Sequence, residues 1–350
     1  MKFWAKKRYI KYLTAHLLYI TGLLSLWSKI KLRNKAIILM YHRVLSKKEI
    51  LENYSQDGIV VKCETFEKHM KYIKNNFKIL SLLEFIEHFQ KRIPFETKSC
   101  LITFDDGWKD NFQNAYPLLK EIGIPAVIFL TTDFVGTKEQ FWQERVMELL
   151  LGLYDAAGSD SNVTTRLMRE FPDTDIESIL KCERGSLKDG ISGYISFLKG
   201  KSKEEIEKIT QRLADLTGKW DSGKTTEEAF MDWDEIRIMT KNRISFGSHG
   251  KSHAILTRLQ KREIEKEALE SKERIEEKLG TSICAFSYPN GDYSEQVLDI
   301  VRNAGYRVAF STESGTHSAA DNPYKIRRIN IHGDMTNSIP MFLARVAGLW

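Results

Sequence analysis

The sequence predicts an α/β fold built on a parallel sheet, most simply a (β/α) barrel, on three observations. Short apolar, β-prone runs alternate with amphipathic helical patterns, the rhythm of a sheet covered on both faces by helices. Residues with ligating or catalytic chemistry follow several of these runs directly, as at the carboxyl ends of barrel strands. The composition, 42% hydrophobic and 29% charged over 350 residues, is that of an ordinary folded chain and excludes disordered and fibrous classes.

The chain opens on a basic segment, residues 1–35. It holds nine of the 53 Lys and Arg and no acid, so the other 44 basic residues face 47 acidic ones and the formal charge of +6 belongs to this segment. The rest offers no positive field to a polyanion, which argues against nucleic acid as a partner. Residues 12–27 are rich in Leu, Ile, Tyr and Trp, broken by Thr14, His16, Thr21 and Ser25, and are short for a span of about 20 apolar residues. No small-residue cleavage site follows closely enough to suggest a signal peptide. One amphipathic helix is expected. Either it rests on a membrane surface through residues 10–31, its lysines at anionic head groups, or it packs on its own barrel, and both readings stay open. Cys63, Cys100, Cys182 and Cys284 are scattered, form no C-x-x-C pair and read as reduced core residues. The expected location is the cytoplasm or the cytoplasmic face of a membrane.

From residue 36 the predicted strands are 36–41 (AIILMY), 100–104 (CLITF), 126–130 (AVIFL), 244–246, 283–286 and 308–310, with a last one before Asn330. Helices are predicted over 66–77, 83–90, 114–122, 233–240, 262–279 and 295–304, three of them stopped by Gly123, Gly280 and Gly305. Trp233 reads as a packing anchor rather than a sugar platform. The charged run 260–278, with Ile264, Ala268, Ile275 and Leu279 on one side, reads as a helix with a solvated outer face. Residues 137–231 show no strand, although βα connections run about 2–6 residues. There Ser202 and Glu205 at capping-box spacing, the apolar face Ile206, Ile209, Leu213 and Leu216, and the stop Gly218 predict a helical insertion. It interrupts a domain running from 36 to 350, and its expected place is over the barrel mouth, as a substrate lid or a packing elaboration.

Two adjacent carboxylates, Asp105 and Asp106 in TFDDG, follow one strand. Neighbours on an extended chain point to opposite sides, so one can ligate a metal while the other faces the reacting water; a helix-capping turn is the bland alternative. His249 and His253 in GSHGKSH follow another strand, four residues apart. On a helical turn that spacing brings both imidazoles to one side, and with a carboxylate they make a three-ligand site with a position left for water. FSYPNG (286–291) and MYHR (40–43) also fall at strand ends.

As a set, TFDDG, GSHGKSH followed by Leu256 and Thr257, FSYPNG and LMYHRV resemble polysaccharide deacetylases of the NodB homology type, carbohydrate esterase family four, over roughly residues 36–134 and 231–331. The resemblance implies a distorted (β/α) barrel of seven strands that hydrolyses the acetyl group of an N-acetylated amino sugar in a polysaccharide or glycolipid. It implies metal ligation by Asp106, His249 and His253, with Asp105 as catalytic base. The implied cofactor is a divalent cation, Zn²⁺ first, though two His and a carboxylate also suit Co²⁺, Ni²⁺ or Fe²⁺. Such a cation brings the pKa of water from about 15.7 towards about 7. The turn Tyr288, Pro289, Asn290 and Gly291 is expected to offer a backbone N–H to the oxyanion.

Two positions depart from the family pattern. Gly250 stands where Ser or Thr usually follows the first His, so a hydrogen bond that stiffens the ligand loop is expected to be missing. Ser287 stands near the place of an Arg that orients the base, a charge that Arg327 or Arg328 is expected to supply from the last strand. The acid for the leaving amine is expected at His42 or His332, with His317 behind them, since imidazole titrates near about 6.5. Two other functions compete, an amidohydrolase of cyclic imides or ureides and a non-catalytic glycan-binding barrel. The complete set Asp105, Asp106, His249 and His253 speaks against the second.

Overall fold

The computed structural model describes residues 2–158, 161–171, 176–217 and 228–350. Seven parallel strands form the centre: β1 (Ala36–Tyr41), β2 (Ser99–Phe104), β3 (Ala126–Leu130), β4 (Ile244–Ser248), β5 (Ala285–Ser287), β6 (Val308–Ser314) and β7 (Ile326–Asn330). Strands consecutive in sequence pair in space, β7 returns to β1, and the pairing of β1 with β2 closes the barrel. The seven-stranded barrel implied by the resemblance is therefore present. Two short strands extend the sheet, Lys78–Ile79 on β2 and the antiparallel Thr316–His317 on β1.

β1, β2 and β3 are buried along their whole length and, apart from Ser99 and Thr103 of β2, apolar, because both of their faces are covered. Alternate residues divide between two cores. Ile37, Leu39, Ile102, Phe104 and Ile128 pack outward against helix residues such as Phe66, Met70, Ile236 and Ile264. Ala36, Ile38, Leu101, Val127 and Phe129 fill the interior with Phe310, Ile326 and the rings of Phe85 and Phe95. The same alternation sends Thr103 and Asp105 inward behind Leu101.

Some boundaries differ from expectation. β5 begins at Ala285 because the Ile283 N–H donates to the Glu276 carboxylate at 2.8 Å, which keeps Ile283 in the connection. The helix expected from Asn114 starts earlier, with a π-helical turn at Asn111–Ala115 leading into Tyr116–Ile122. The expected helix at 262–279 spans Lys261–Leu279.

A second compact unit comprises Lys138–Ala229 together with Leu51–Asp57. Its helices Trp142–Ala157, Leu187–Leu198 and Lys203–Thr217 bury a cluster of their own that includes Val146, Leu150, Ile191, Ile195 and Leu213. Ser202 and Glu205 cap the last of these reciprocally, Ser202 N–H to Glu205 at 2.9 Å and Glu205 N–H to Ser202 Oγ at 3.2 Å. Gly218 lies outside the described residues. No periodicity ties 51–57 to this unit; a tertiary contact does, the Ser55 hydroxyl donating to Glu144 at 3.1 Å.

The basic segment forms two helices rather than the one expected, α1 (Lys2–Ile20) and α2 (Leu23–Lys31). They part at Gly22, whose φ of 75° glycine adopts without strain. Call the helix Lys261–Leu279 α3 and Ile339–Val346 α4. Ala15 of α1 and Leu24 of α2 both pack on α4, against Met341, Leu343 and Ala344.

His69, in the helix Cys63–Asn76, ties the barrel to this C-terminal region. The Tyr41 hydroxyl lies 3.1 Å from its Nδ1, Nε2–H donates to the Thr336 carbonyl at 2.7 Å, and the ring stacks on Phe342 at 4.2 Å. Burial pushes the imidazole down to about 4, with the Thr336 carbonyl pulling the other way. An unfolded imidazole titrates near about 6.5, so between those values the unfolded chain binds a proton that the native chain refuses. The contribution is complete above about pH 6.5 and is lost as pH falls towards about 4, on the order of 3 kcal/mol. His317, also held at about 4 chiefly by burial, acts with the same sign. Urea melts from about pH 7 to about pH 4.5 are expected to show a falling midpoint, and His69→Gln to reduce that slope without abolishing it. An unchanged slope in the variant would assign the acid sensitivity elsewhere.

Candidate active site

Strand register brings the chemistry together. Tyr41 at the end of β1 lies beside Phe104 at the end of β2, and the Asp105 N–H donates to the Tyr41 carbonyl at 3.0 Å. Between the neighbouring strands β3 and β4, the His249 N–H donates to the Leu130 carbonyl at 2.8 Å. After Asp105 the chain leaves the sheet by a left-handed step, with φ 77° at Asp106, and His253 is left-handed as well at 60°. Non-glycine residues in this region cost energy and cluster where function requires the geometry. The step sends Asp106 to a different place from the inward-pointing Asp105.

Asp106, His249 and His253 converge, their ligating atoms all within 4.8 Å of one another. Asp106 Oδ1 lies 3.4 Å from the Nε2 of each histidine and, although buried, has no hydrogen-bond partner. Two ligands about 2.0–2.1 Å from one tetrahedral ion stand about 3.4 Å apart, so the spacing and the orphaned oxygen both fit a cation such as Zn²⁺. The other nitrogen of His249, Nδ1, meets the Ser287 carbonyl at 2.8 Å, which turns Nε2 towards the cluster. The Trp108 indole N–H donates to Asp106 Oδ2 at 2.8 Å and leaves Oδ1 facing the histidines. Burial opposes the charge of Asp106, but the facing imidazoles of His249 and His253 hold the carboxyl well below the usual range.

Asp105 has different partners. Arg328, fully buried on β7, donates to both of its oxygens at 2.7 Å, and the Ser287 hydroxyl is 3.3 Å from Oδ2. Arg328 also donates to Ser287 Oγ at 2.9 Å and to the Ser311 carbonyl at 2.9 Å. Of the two arginines expected to supply this charge it is Arg328, because Arg327 points outward from the same strand. Burial works against ionisation of Asp105, yet Arg328 and then His249 outweigh it and hold the carboxyl below its ordinary range.

The ligand loop is stiffened by a residue the sequence reading missed. Glu267 of α3 accepts from the Lys251 N–H at 2.6 Å, the Ser252 N–H at 3.0 Å and the Ser252 hydroxyl at 2.5 Å. The Gly250 N–H donates to Ser248 Oγ at 3.0 Å. Gly250 has φ 76°, and a Cβ there would stand 3.0 Å from Glu267 Oε2, so the glycine that departs from the family pattern leaves room for the carboxylate. The solvated outer face assigned to residues 260–278 is thus corrected at Glu267. It is buried on the face that carries Ile264, Ala268 and Ser271, one helical turn from Ile264.

The histidines separate by position. His42 follows β1 between Asp105 on one side and, through the pairing of Met40 with Asn330, His332 on the other. Burial lowers the His42 imidazole while Asp106 and then Asp105 pull it up; burial and then Arg345 lower that of His332. His317 pairs with Ala36 at the opposite end of β1, on the order of 17 Å from the site, and this removes it as the acid. In the turn after β5 Pro289 has no N–H, while those of Tyr288 and Gly291 donate to the Phe310 carbonyl at 3.0 Å and the Tyr288 carbonyl at 2.8 Å. Asn290 lies between them in a left-handed conformation, at φ 59°.

The architecture and site define a barrel hydrolase with a three-ligand cluster at the carboxyl ends of its strands. The sequence pattern of the family described as polysaccharide deacetylase matches residues 92–154 and 216–309 of this chain. The Bacillus subtilis protein named "Putative polysaccharide deacetylase YxkH" is 23% identical over 316 residues, 90% of this chain and 77% of that protein. Poly-beta-1,6-N-acetyl-D-glucosamine N-deacetylase of Staphylococcus aureus is 28% identical over 177 residues, 43% of this chain but only 59% of the relative. Among solved structures, the Streptococcus pyogenes deacetylase PplD in complex with acetate superposes with a TM-score of 0.57 at 18% identity, covering 89% of this chain and 98% of that one, a likeness of fold.

Glu267→Ala is expected to loosen the loop that carries His253 and to weaken zinc binding about 10- to 100-fold, measured by competition with a chromophoric chelator. Glu267→Gln keeps one acceptor and is expected to fall between. Equal affinity in all three proteins would show that the loop holds its shape without the carboxylate.

Proposed function

We propose that the barrel is a metal-dependent amidohydrolase that removes acetyl from an N-acetylated amino sugar of a polysaccharide or glycolipid. The observation that carries this reading is the division of two adjacent carboxylates, Asp106 joined to His249 and His253 and Asp105 clamped by Arg328 beside them. A divalent cation held by Asp106, His249 and His253, Zn²⁺ first by the chemistry of these donors, would polarise the acetyl carbonyl and acidify water.

The remaining work falls to side chains. Asp105 accepts the proton of the attacking water, kept ionised and fixed in direction by Arg328. The turn 288–291 after β5 supplies a backbone N–H to the developing oxyanion. His42 protonates the departing amine, because an amide anion is a very poor leaving group; its place next to Asp105 in the β1–β2 register supports this role over His332, one strand further away. The polymer named for the staphylococcal relative supports N-acetylhexosamine polymers as the first substrates to test. The apolar N-terminal helices support peripheral membrane contact through residues 10–31, within reach of a membrane-proximal glycan.

Acetate release from N-acetylglucosamine oligomers by the purified chain is expected to be abolished by chelator and restored by zinc. Asp105→Asn is expected to lower kcat about 100- to 10,000-fold, and His42→Ala to do the same with little change in KM. A larger loss in His332→Ala than in His42→Ala would transfer the acid role to His332. Metal binding without acetate from any saccharide would sink the sugar assignment, and chelator-insensitive release would sink the metal.

A further inference from the structure

The N-terminal helix pair turns its apolar faces away from the core. On α1, buried Ala15 meets α4, while Tyr9, Ile10, Leu13, Leu17 and Ile20 recur at helical spacing on the other side, Leu17 exposed at 64% and Ile20 at 80%. α2 repeats the arrangement, with Leu24 and Ser28 inside and Leu23, Leu26, Trp27 and Ile30 outside at i, i+3, i+4 and i+7. Trp27 is fixed in this position, its indole N–H donating to the Ala347 carbonyl at 3.2 Å. Eleven of the eighteen large apolar side chains exposed among the described residues lie within residues 9–30. Apolar surface concentrated in this way marks an interaction site.

Charge selects the occupant. Residues 1–35 carry nine Lys and Arg and no acid, and Lys29, Lys31 and Arg33 stand exposed around Ile30. A second copy of the chain would set two such positive fields against each other. An anionic lipid surface complements both features, since apolar side chains enter the acyl boundary while lysines reach head groups. Among the described residues no helix is long and apolar enough to cross a membrane.

We infer that α1 and α2 form a docking surface for an anionic lipid bilayer, with Leu13, Leu17, Ile20 and Ile30 as its inserting side chains. The inference deepens the proposed deacetylase reading and rests on it only for the glycan that the docked barrel would meet.

The test is flotation of the full chain with vesicles of equal parts phosphatidylcholine and phosphatidylglycerol, and with vesicles of phosphatidylcholine alone. Binding to the anionic vesicles is expected to exceed binding to neutral ones at least about tenfold and to fall with added salt. The triple variant Leu13→Ser, Leu17→Ser and Ile20→Ser is expected to lose at least about tenfold in binding while keeping the melting temperature and zinc affinity of the parent. Lack of flotation by the folded parent, equal binding to neutral vesicles, or full binding by the variant would each overturn the inference. A dimer abolished by the triple variant, with no flotation, would assign the face to a second copy instead. Acetate release enters none of these arms, so failure of the deacetylase reading and failure of docking are told apart.

Discussion

A guanidinium buried inside the barrel organises both the fold and the site. Arg328 stands 5.7 and 5.9 Å from the ring centres of Phe129 and Phe310, in surroundings that tolerate a charge only when its donors are satisfied. Its partners come from different strands: Asp105, just past β2, with Thr103 within β2, Ser287 on β5 and the Ser311 carbonyl on β6. Removing one member of such a buried pair typically costs about 3–5 kcal/mol, because the other charge remains unpaired. The interaction that satisfies the interior of the closed barrel is thus also the one that aims Asp105.

The two carboxylates of TFDDG are neighbours in sequence but belong to separate networks. Ser287 is where those networks touch, its carbonyl orienting His249 and its hydroxyl bonding to Arg328. Asp106 is positioned by the Trp108 indole, and that ring stacks on Phe230 at 4.6 Å with the Arg43 guanidinium 4.4 Å above it. Arg43 in turn bonds Asp110 at 2.9 Å, so the ligand is braced by groups that make no contact with the cluster itself. Ligand orientation by such outer partners is what sustains metal affinity.

Outside the barrel the chain follows other rules. The unit built around Lys138–Ala229 has its own apolar cluster, and the N-terminal helices bury Ala15, Leu24 and Ser28 while exposing most of their large apolar side chains. Over residues 10–31 membrane contact and packing are not alternatives: an inner face packs, and the outer face is apolar and surrounded by positive charge.

The sequence by itself determined where the strands lie, though not every end, since β4 and β6 run on to Ser248 and Ser314 beyond their apolar runs; continuous apolar runs report burial on both faces. Asp105, Asp106, His249 and His253 could be picked out for the same reason, each lying just beyond such a run. Only the tertiary structure decided the rest. It chose Arg328 over its neighbour Arg327 through strand alternation, made Glu267 a brace inside an otherwise charged helix, set His42 rather than His317 beside the carboxylates, and broke the N-terminal helix at Gly22. Most of these choices depend on contacts between distant parts of the chain, 223 residues apart for Arg328 and Asp105. Local periodicity cannot report such pairs, because what fixes them is the closure of the barrel.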